Sequence, residues 1–176
     1  ESQRSGVHGI WISRADGSDA EELLPGQGAS SGTAHWSPDG QRIAFDFNPE
    51  GNYDIYVIRA SGGKPMPLTT DSAHDDAPSW SRDGKWVYFA SIRTGTWETW
   101  KVSTEGGEAV LVTRNGGGVA FESPDGQSVY YMKGGYSAGL WKMPVSGGEE
   151  SKVLPSVFNR AFSLVNDGIY FIPAPG

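Results

Sequence analysis

The chain contains no cysteine, so neither a disulfide framework nor a thiolate metal site can form. A cysteine-free chain suits oxidising and reducing compartments equally, which leaves the redox environment open. Histidine is scarce, with His8, His35 and His74 the full complement. Basic residues are outnumbered, since 14 Lys and Arg against 21 Asp and Glu leave a net charge of −7. A phosphate backbone is repelled by that balance, so nucleic acid is not expected as a partner. No apolar run approaches the ~20 residues that span a bilayer as a helix, and no membrane insertion is expected. The opening ESQRSGVHG lacks an apolar signal-peptide core, so the reading is of a mature or excised soluble segment. Helical periodicity is missing from every window of useful length.

What the chain has is rings, glycine and self-similarity. With 176 residues it is long enough for one compact domain with a real core. Its 7 Trp, 7 Tyr and 7 Phe mean that much of the buried area comes from large aromatic groups. Repeats are tested before local structure, because a missed period misassigns the whole fold. HWSPDGQRIAF at 35–45 returns as SWSRDGKWVYF at 79–89 and FESPDGQSVYY at 121–131, and in worn form as SLVNDGIYF at 163–171. Its aspartates, Asp39, Asp83, Asp125 and Asp167, are spaced by 44, 42 and 42 residues. A second half-motif alternates with the first: GIWISRADGSDAEELL at 9–24, DIYVIRASGGKPMPLT at 54–69, ETWKVSTEGGEAVLVT at 98–113 and GLWKMPVSGGEESKVL at 139–154.

Each half carries the chemistry of a hairpin. In Ser37-Pro38-Asp39-Gly40, proline presets φ, aspartate suits the next position and glycine accepts the positive φ with which the strand departs. The Gly-Gly pairs at 62–63, 106–107 and 147–148, and Asp16-Gly17, sit between strand-like flanks as tight turns do. Four strands per unit of about 43 residues is the period of a propeller blade.

On these residues, WSPDGQRIAF followed by DIYVIRASGGKPMPLT, the chain resembles the TolB-type, WD-like propeller repeat of bacteria over about residues 9 to 171. The resemblance implies an all-β radial array of four-stranded antiparallel blades. Such arrays occur in periplasmic translocation proteins, in sensory domains of bacterial regulators and kinases, and in the gating propellers of some serine peptidases. Activity does not follow from that fold. Family habit points to a periplasmic or otherwise extracytoplasmic location. The match departs where Glu122 replaces the tryptophan of the motif, where Arg82 replaces the turn proline, and where Leu164 and Val165 replace Trp-Ser.

The units add up to one propeller domain over 1–176: a half blade at 9–24, blades at 34–69, 78–113 and 120–154, and a complementary half blade at 161–172. Unpaired halves leave strand edges open. Closure within the chain as four blades, exchange of halves between two chains as an eight-bladed homodimer, and a segment of a longer propeller all satisfy those edges.

A repeat supplies its own control, because a residue type recurring at one position serves the blade. By that test Trp11, Tyr56, Trp100 and Trp141 are packing residues, as are Trp36 and Trp80. On the usual layout, with the first strand innermost, the loops between blades and those between second and third strands share one face, and that face is where the sequence varies. Variable loops on a rigid scaffold are where binding resides. The candidate contact residues are Asn52, Tyr53, His74, Asp75, Asp76, Arg93, Trp97 and Tyr136, with DSAHDDAP at 71–78 the most distinctive stretch. That stretch matches no EF-hand loop and no His-x-x-x-His pair, so no metal is expected. GASSG at 28–32 has the letters of Gly-x-Ser-x-Gly but joins two blades rather than a strand to a helix, and NGGGVA lacks the lysine of a phosphate cradle. Paired acids such as Glu149 and Glu150 lie beside tight hairpins, where solvation is expected. No catalytic constellation and no cofactor follow. The expectation is a non-enzymatic scaffold that binds a protein, peptide or small ligand through its loop face or central channel, as a segment of a larger bacterial sensor or translocation protein. The alternatives are an architectural half-propeller that self-assembles and a metal-assisted lyase or hydrolase.

Overall fold

A computed structural model describes residues 9–24, 30–135, 137–158 and 160–175. Among the described residues every regular element is a strand and every pairing is antiparallel. β1 (Trp11–Ile12) and β2 (Glu21–Glu22) form a two-stranded sheet. The first blade is β3 (Ser30–Trp36), β4 (Arg42–Asn48), β5 (Asp54–Arg59) and β6 (Met66–Pro67). The second is β7 (Asp75–Trp80), β8 (Trp86–Ser91), β9 (Glu98–Ser103) and β10 (Val110–Leu111). The third is β11 (Ala120–Glu122), β12 (Ser128–Lys133), β13 (Ser137–Pro144) and β14 (Ser151–Phe158). A final hairpin, β15 (Phe162–Val165) and β16 (Gly168–Phe171), stands as its own two-stranded sheet. No sheet joins β1 and β2 to β15 and β16 among the described residues. Among the described residues, then, no strand pairing closes the ring within the chain.

The recurring turn is held by its own side chains. Ser37 Oγ donates to Asp39 Oδ1, Gln41 N donates to the same oxygen at 3.0 Å, and Arg42 N donates to Ser37 Oγ at 2.9 Å. Ser81 with Asp83 and Ser123 with Asp125 repeat the arrangement bond for bond. Hydrogen bonds from the serine hydroxyl, then from the backbone amide, hold all three aspartates below the ordinary carboxylate range. The worn fourth unit has Val165 in place of serine, and there the strands close around a shorter turn with Val165 opposite Gly168. A second clamp closes the outer half of a blade. Thr69 Oγ1 accepts from Ile55 N and donates to Asp54, and Thr113 Oγ1 accepts from Thr99 N and donates to Glu98.

Blades pack face to face through alternate residues of their strands. Ala44, Val57 and Leu68 of the first blade meet Trp80, Val87 and Phe89 of the second. Tyr88 meets Ala120, Val129 and Tyr131 of the third. Ile10, Leu23 and Leu24, flanking β1 and β2, cover Ile43, Phe45 and Phe47, while Phe162 and Ile169 pack on the far side of the third blade. The hairpins thus cap opposite ends of an arc of blades. Across its hub, His35 lies edge-on to Phe121 at 5.4 Å and Phe121 edge-on to Phe162 at 5.5 Å, and burial pushes the His35 imidazole below its ordinary value.

The repeat position of Trp36 and Trp80 splits in two. Trp80 is 8% exposed, donates from Nε1 to His35 O at 2.9 Å and carries the Arg42 guanidinium over its ring. Trp36 is 51% exposed, which corrects its assignment as a packing residue. The indole of this position packs on the inner strands of the preceding blade, and the preceding β1–β2 sheet consists of outer strands alone. Where tryptophan gives way to Glu122, the carboxylate is buried and accepts from Arg82 N at 2.8 Å and Tyr88 OH at 2.7 Å. The departure from the motif is a hydrogen-bonded substitute for a ring, and burial pushes the Tyr88 phenol well above its ordinary value.

Candidate functional site

The inner strands carry a bulge near the loop face, where the register shifts between Gly32 and His35 in β3 and between Asp76 and Ser79 in β7. Thr33 and Ala77 occupy equivalent places in these bulges and take φ of 43° and 53°, a conformation costly for residues with a Cβ. Five residues before the turn serine, or before its valine substitute, come Gly32, Asp76, Gly118 and Arg160, one from each unit. Of these four positions, equivalent places at the loop-face mouth of their units, two bear opposite charges and meet. Arg160 Nη2 lies 3.2 Å from Asp76 Oδ2, an ion pair joining the second blade to the C-terminal hairpin across 84 residues. Nine residues after the turn serine come Asp46, Ala90 and Met132. The mouth is accordingly acidic beside the first blade and apolar beside the second and third. Burial pushes the Asp46 carboxyl above its ordinary value, with a hydrogen bond from Thr33 opposing and the charge of Asp76 adding to the rise. Asp46 Oδ2 and Asp76 Oδ1 are both buried and have no hydrogen-bond partner.

A cavity of about 660 Å³ opens on the apolar side. Ala90, Val119 and Met132 form its floor, the glycines at 116–118 and 134–135 its walls, and Trp97 and Arg160 its rim. The glycine walls have a local cause at Gly117. A Cβ there would lie 2.3 Å from Thr113 Oγ1 and 2.8 Å from Thr99 N, inside the strand-end clamp of the second blade. Next to the cavity, the ring of His74 lies 5.0 Å from that of Tyr53 and 5.6 Å from that of Trp97, so three aromatic groups run in a row from the first blade to the second. Trp97 is 43% exposed.

The candidate residues thus divide. Tyr53, His74, Asp76 and Trp97 come together on the loop face. Asn52 acts on the backbone, donating from Nδ2 to Asp71 O and Ala73 O, both at 3.0 Å, and so shapes the loop that bears His74. Asp75 is fully buried at the head of β7 and pairs with Arg93 at 2.7 Å. The Arg93 guanidinium also lies 4.8 Å over the Trp100 ring. That pair is interior structure rather than accessible surface. Tyr136 and His8 lie outside the described residues. Arg160 belongs to FNR at 158–160, a stretch that the repeat layout puts on the variable face, but it was not among the candidate contacts, because only counting back from the degenerate turn at 165–168 aligns it with Asp76. Glu150 is bound rather than simply solvated, accepting from Tyr131 OH and Lys133 Nζ. Among the described residues no three His, Asp or Glu side chains converge as a metal site.

No curated protein matches the chain by sequence. Solved structures do share its fold. A protein assigned as TolB from Agrobacterium tumefaciens superimposes with a TM-score of 0.78 at 24% identity, covering 88% of this chain and 59% of that one. TolB from Acinetobacter baumannii gives 0.74 at 22% identity, covering 88% and 39%. A chain of a nidogen/laminin complex gives 0.74 at 10% identity, covering 94% and 64%. The chain therefore spans between two fifths and three fifths of the length of the two TolB structures. The family model described as the TolB beta propeller domain matches residues 2–172, nearly the full length, and the chain belongs to that family.

Proposed function

We propose that the chain is a non-enzymatic binding scaffold whose loop face holds a protein, peptide or small ligand. The observation that carries this is the row Tyr53, His74 and Trp97 beside the glycine-walled cavity. Aromatic groups held on rigid strands offer large contact area at little cost in ordering entropy, and the cavity is within the size range of ligand sites. The acids and bases of the loop region support a binding role over a chemical one, since Asp75 and Arg93 neutralise each other in the interior and Asn52 is spent on backbone carbonyls. A chain of similar fold sits in a nidogen/laminin complex, and membership of the TolB family is consistent with binding of protein partners in an extracytoplasmic compartment. The coverage of the TolB structures suits a segment of a longer propeller.

The test is selection of binders from a displayed random-peptide library, followed by titration of the selected peptides against the parent chain and a Tyr53→Ala/Trp97→Ala variant. Loss of ~10-fold or more in affinity is expected for two truncated aromatic anchors. Peptides that bind the variant as well as the parent would sink the assignment of the loop face.

A second function, assembly, is favoured by one observation. Trp36 is half exposed while its counterpart Trp80 is sealed against His35 and Arg42, and Tyr170 at the other end of the arc is 70% exposed. An inner strand laid before β3 would cover Trp36, and the β15–β16 hairpin of a second copy is one such strand pair. Sedimentation resolves the 18.9 kDa monomer from its dimer. A monomer at high concentration excludes the eight-bladed homodimer.

A further inference from the structure

The cavity and the ion pair at its rim make demands on a ligand that neither makes alone. Arg160 is the one charged residue on the cavity wall among the described residues, and its guanidinium is already committed to Asp76. A ligand presenting only a carboxylate to Arg160 would draw the guanidinium away from Asp76, leaving that aspartate beside Asp46 with the His74 imidazole, 3.9 Å away, as its nearest base. A ligand presenting only a cation to Asp76 would leave Arg160 without its partner. Partly buried charges that lose a counterion are costly. A ligand with both signs on neighbouring atoms exchanges one ion pair for two and leaves no charge alone. Asp76 stands beside the cavity wall rather than on it, and its carboxylate, paired with Arg160, keeps a side-chain exposure of 19% for such a group. The rest of the site is apolar: Ala90, Val119 and Met132 are buried beneath the cavity, the glycine walls add no side chain to fill it, and Trp97 presents a partly exposed ring at the opening.

We infer that the loop-face cavity takes a free α-amino acid with a large apolar or aromatic side chain. Its carboxylate pairs with Arg160, its ammonium pairs with Asp76, and its side chain lies over Met132 against Trp97. This rests on the loop face being a binding face and specifies what it binds.

Calorimetric titration of the intact chain with L-tryptophan, L-phenylalanine and L-leucine tests it, set against N-acetyl-L-tryptophan, which keeps only the carboxylate, and L-tryptophan amide, which keeps only the ammonium. The zwitterions are expected to bind and each half-charged analogue to bind ~10-fold more weakly or worse, the scale of one lost charge-assisted hydrogen bond. Arg160→Gln should weaken L-tryptophan to the same degree and strengthen the amide, whose ammonium then meets an Asp76 with no cation to displace. Because the analogues probe the site without mutation, the outcome does not depend on a variant folding. Absence of binding by every amino acid at millimolar concentration overturns the inference, as does N-acetyl-L-tryptophan or the amide matching L-tryptophan. Binding indifferent to both Arg160→Gln and Trp97→Ala overturns it as well. Selected peptides that still require Tyr53 and Trp97 would then leave the scaffold function standing and remove the amino-acid assignment alone.

Discussion

Trp36 and Trp80 stand at one repeat position with opposite exposures, so truncating each in turn measures what a blade joint contributes. A tryptophan ring buries up to ~250 Å². At 8% exposure Trp80 hides nearly all of that, whereas Trp36 at 51% hides about half. At ~25 cal/mol per Å² the two burials are worth about 6 and about 3 kcal/mol. Both are upper bounds, because the unfolded chain already buries part of this surface. Trp80 also loses its hydrogen bond to His35 O, about 1 kcal/mol, and its contact with Arg42, about 0.5–1 kcal/mol. Trp80→Ala is therefore expected to cost about 4–5 kcal/mol, the upper part of the range for buried rings, and Trp36→Ala about 2 kcal/mol, leaving a gap of ~2–3 kcal/mol. Urea unfolding followed by far-UV circular dichroism at low micromolar concentration is the assay. A Trp80→Ala loss no larger than that of Trp36→Ala would refute the claim that contact with the preceding inner strand sets the cost. If the loss from Trp36→Ala grows with protein concentration, a second copy covers that indole.

Arg93→Ala should destabilise by about 3–5 kcal/mol, since it leaves the fully buried Asp75 unpaired. Arg93→Lys should recover only part of this, because ammonium lacks the flat surface that lies over Trp100; full recovery by lysine in urea melts would count against that stacking. Gly117→Ala should cost about 1–3 kcal/mol through overpacking, whereas Gly168→Ala, whose added Cβ meets nothing within 4 Å, should be near neutral; equal melting temperatures for the two variants would contradict the Thr99–Thr113 clamp. The folded-state pKa of Asp46 is raised above its ordinary value, so its contribution is fully present below that ordinary value and is lost as pH rises through the folded one. Asp46→Asn should accordingly be better tolerated at pH 7 than at pH 4. Asp39, Asp83 and Asp125 have lowered pKa values and behave oppositely, their contribution being present above the ordinary value and lost as pH falls through the folded one. Replacing Ser37, Ser81 and Ser123 by alanine should therefore make acid unfolding begin at higher pH, and an unchanged acid midpoint would contradict the turn clamp.

The blades were legible because their signal is periodic and local: the Ser-x-Asp-Gly turns bond within six residues, and the Gly-Gly turns need only their own φ. The aromatic part of the loop face was legible for a related reason, since Tyr53 and Trp97 occupy one loop-proximal repeat position, which His8 and Ala138 fill in the other units. What was not legible depends on which residue of another unit lies opposite. Asp75 and Asp76 are adjacent in sequence, yet one points into the blade toward Arg93 and the other across the hub toward Arg160. Alternation along a strand separates them, and the bulge after Asp76 hides that alternation from the pattern of residues. Glu122 looked like a defect in the motif because its partners, Tyr88 and Arg82, belong to the neighbouring blade.

Repeat arrays whose units touch only their neighbours lose stability piece by piece, each interface contributing its own increment. Here the ring chain from His35 through Phe121 to Phe162 and the pair joining Asp76 to Arg160 bridge units that are not adjacent in sequence. Such cross-ties turn a zipper into a wheel. Loosening one spoke slackens the others, so damage at the C-terminal hairpin should register in hydrogen exchange of the first blade, far from where it was inflicted.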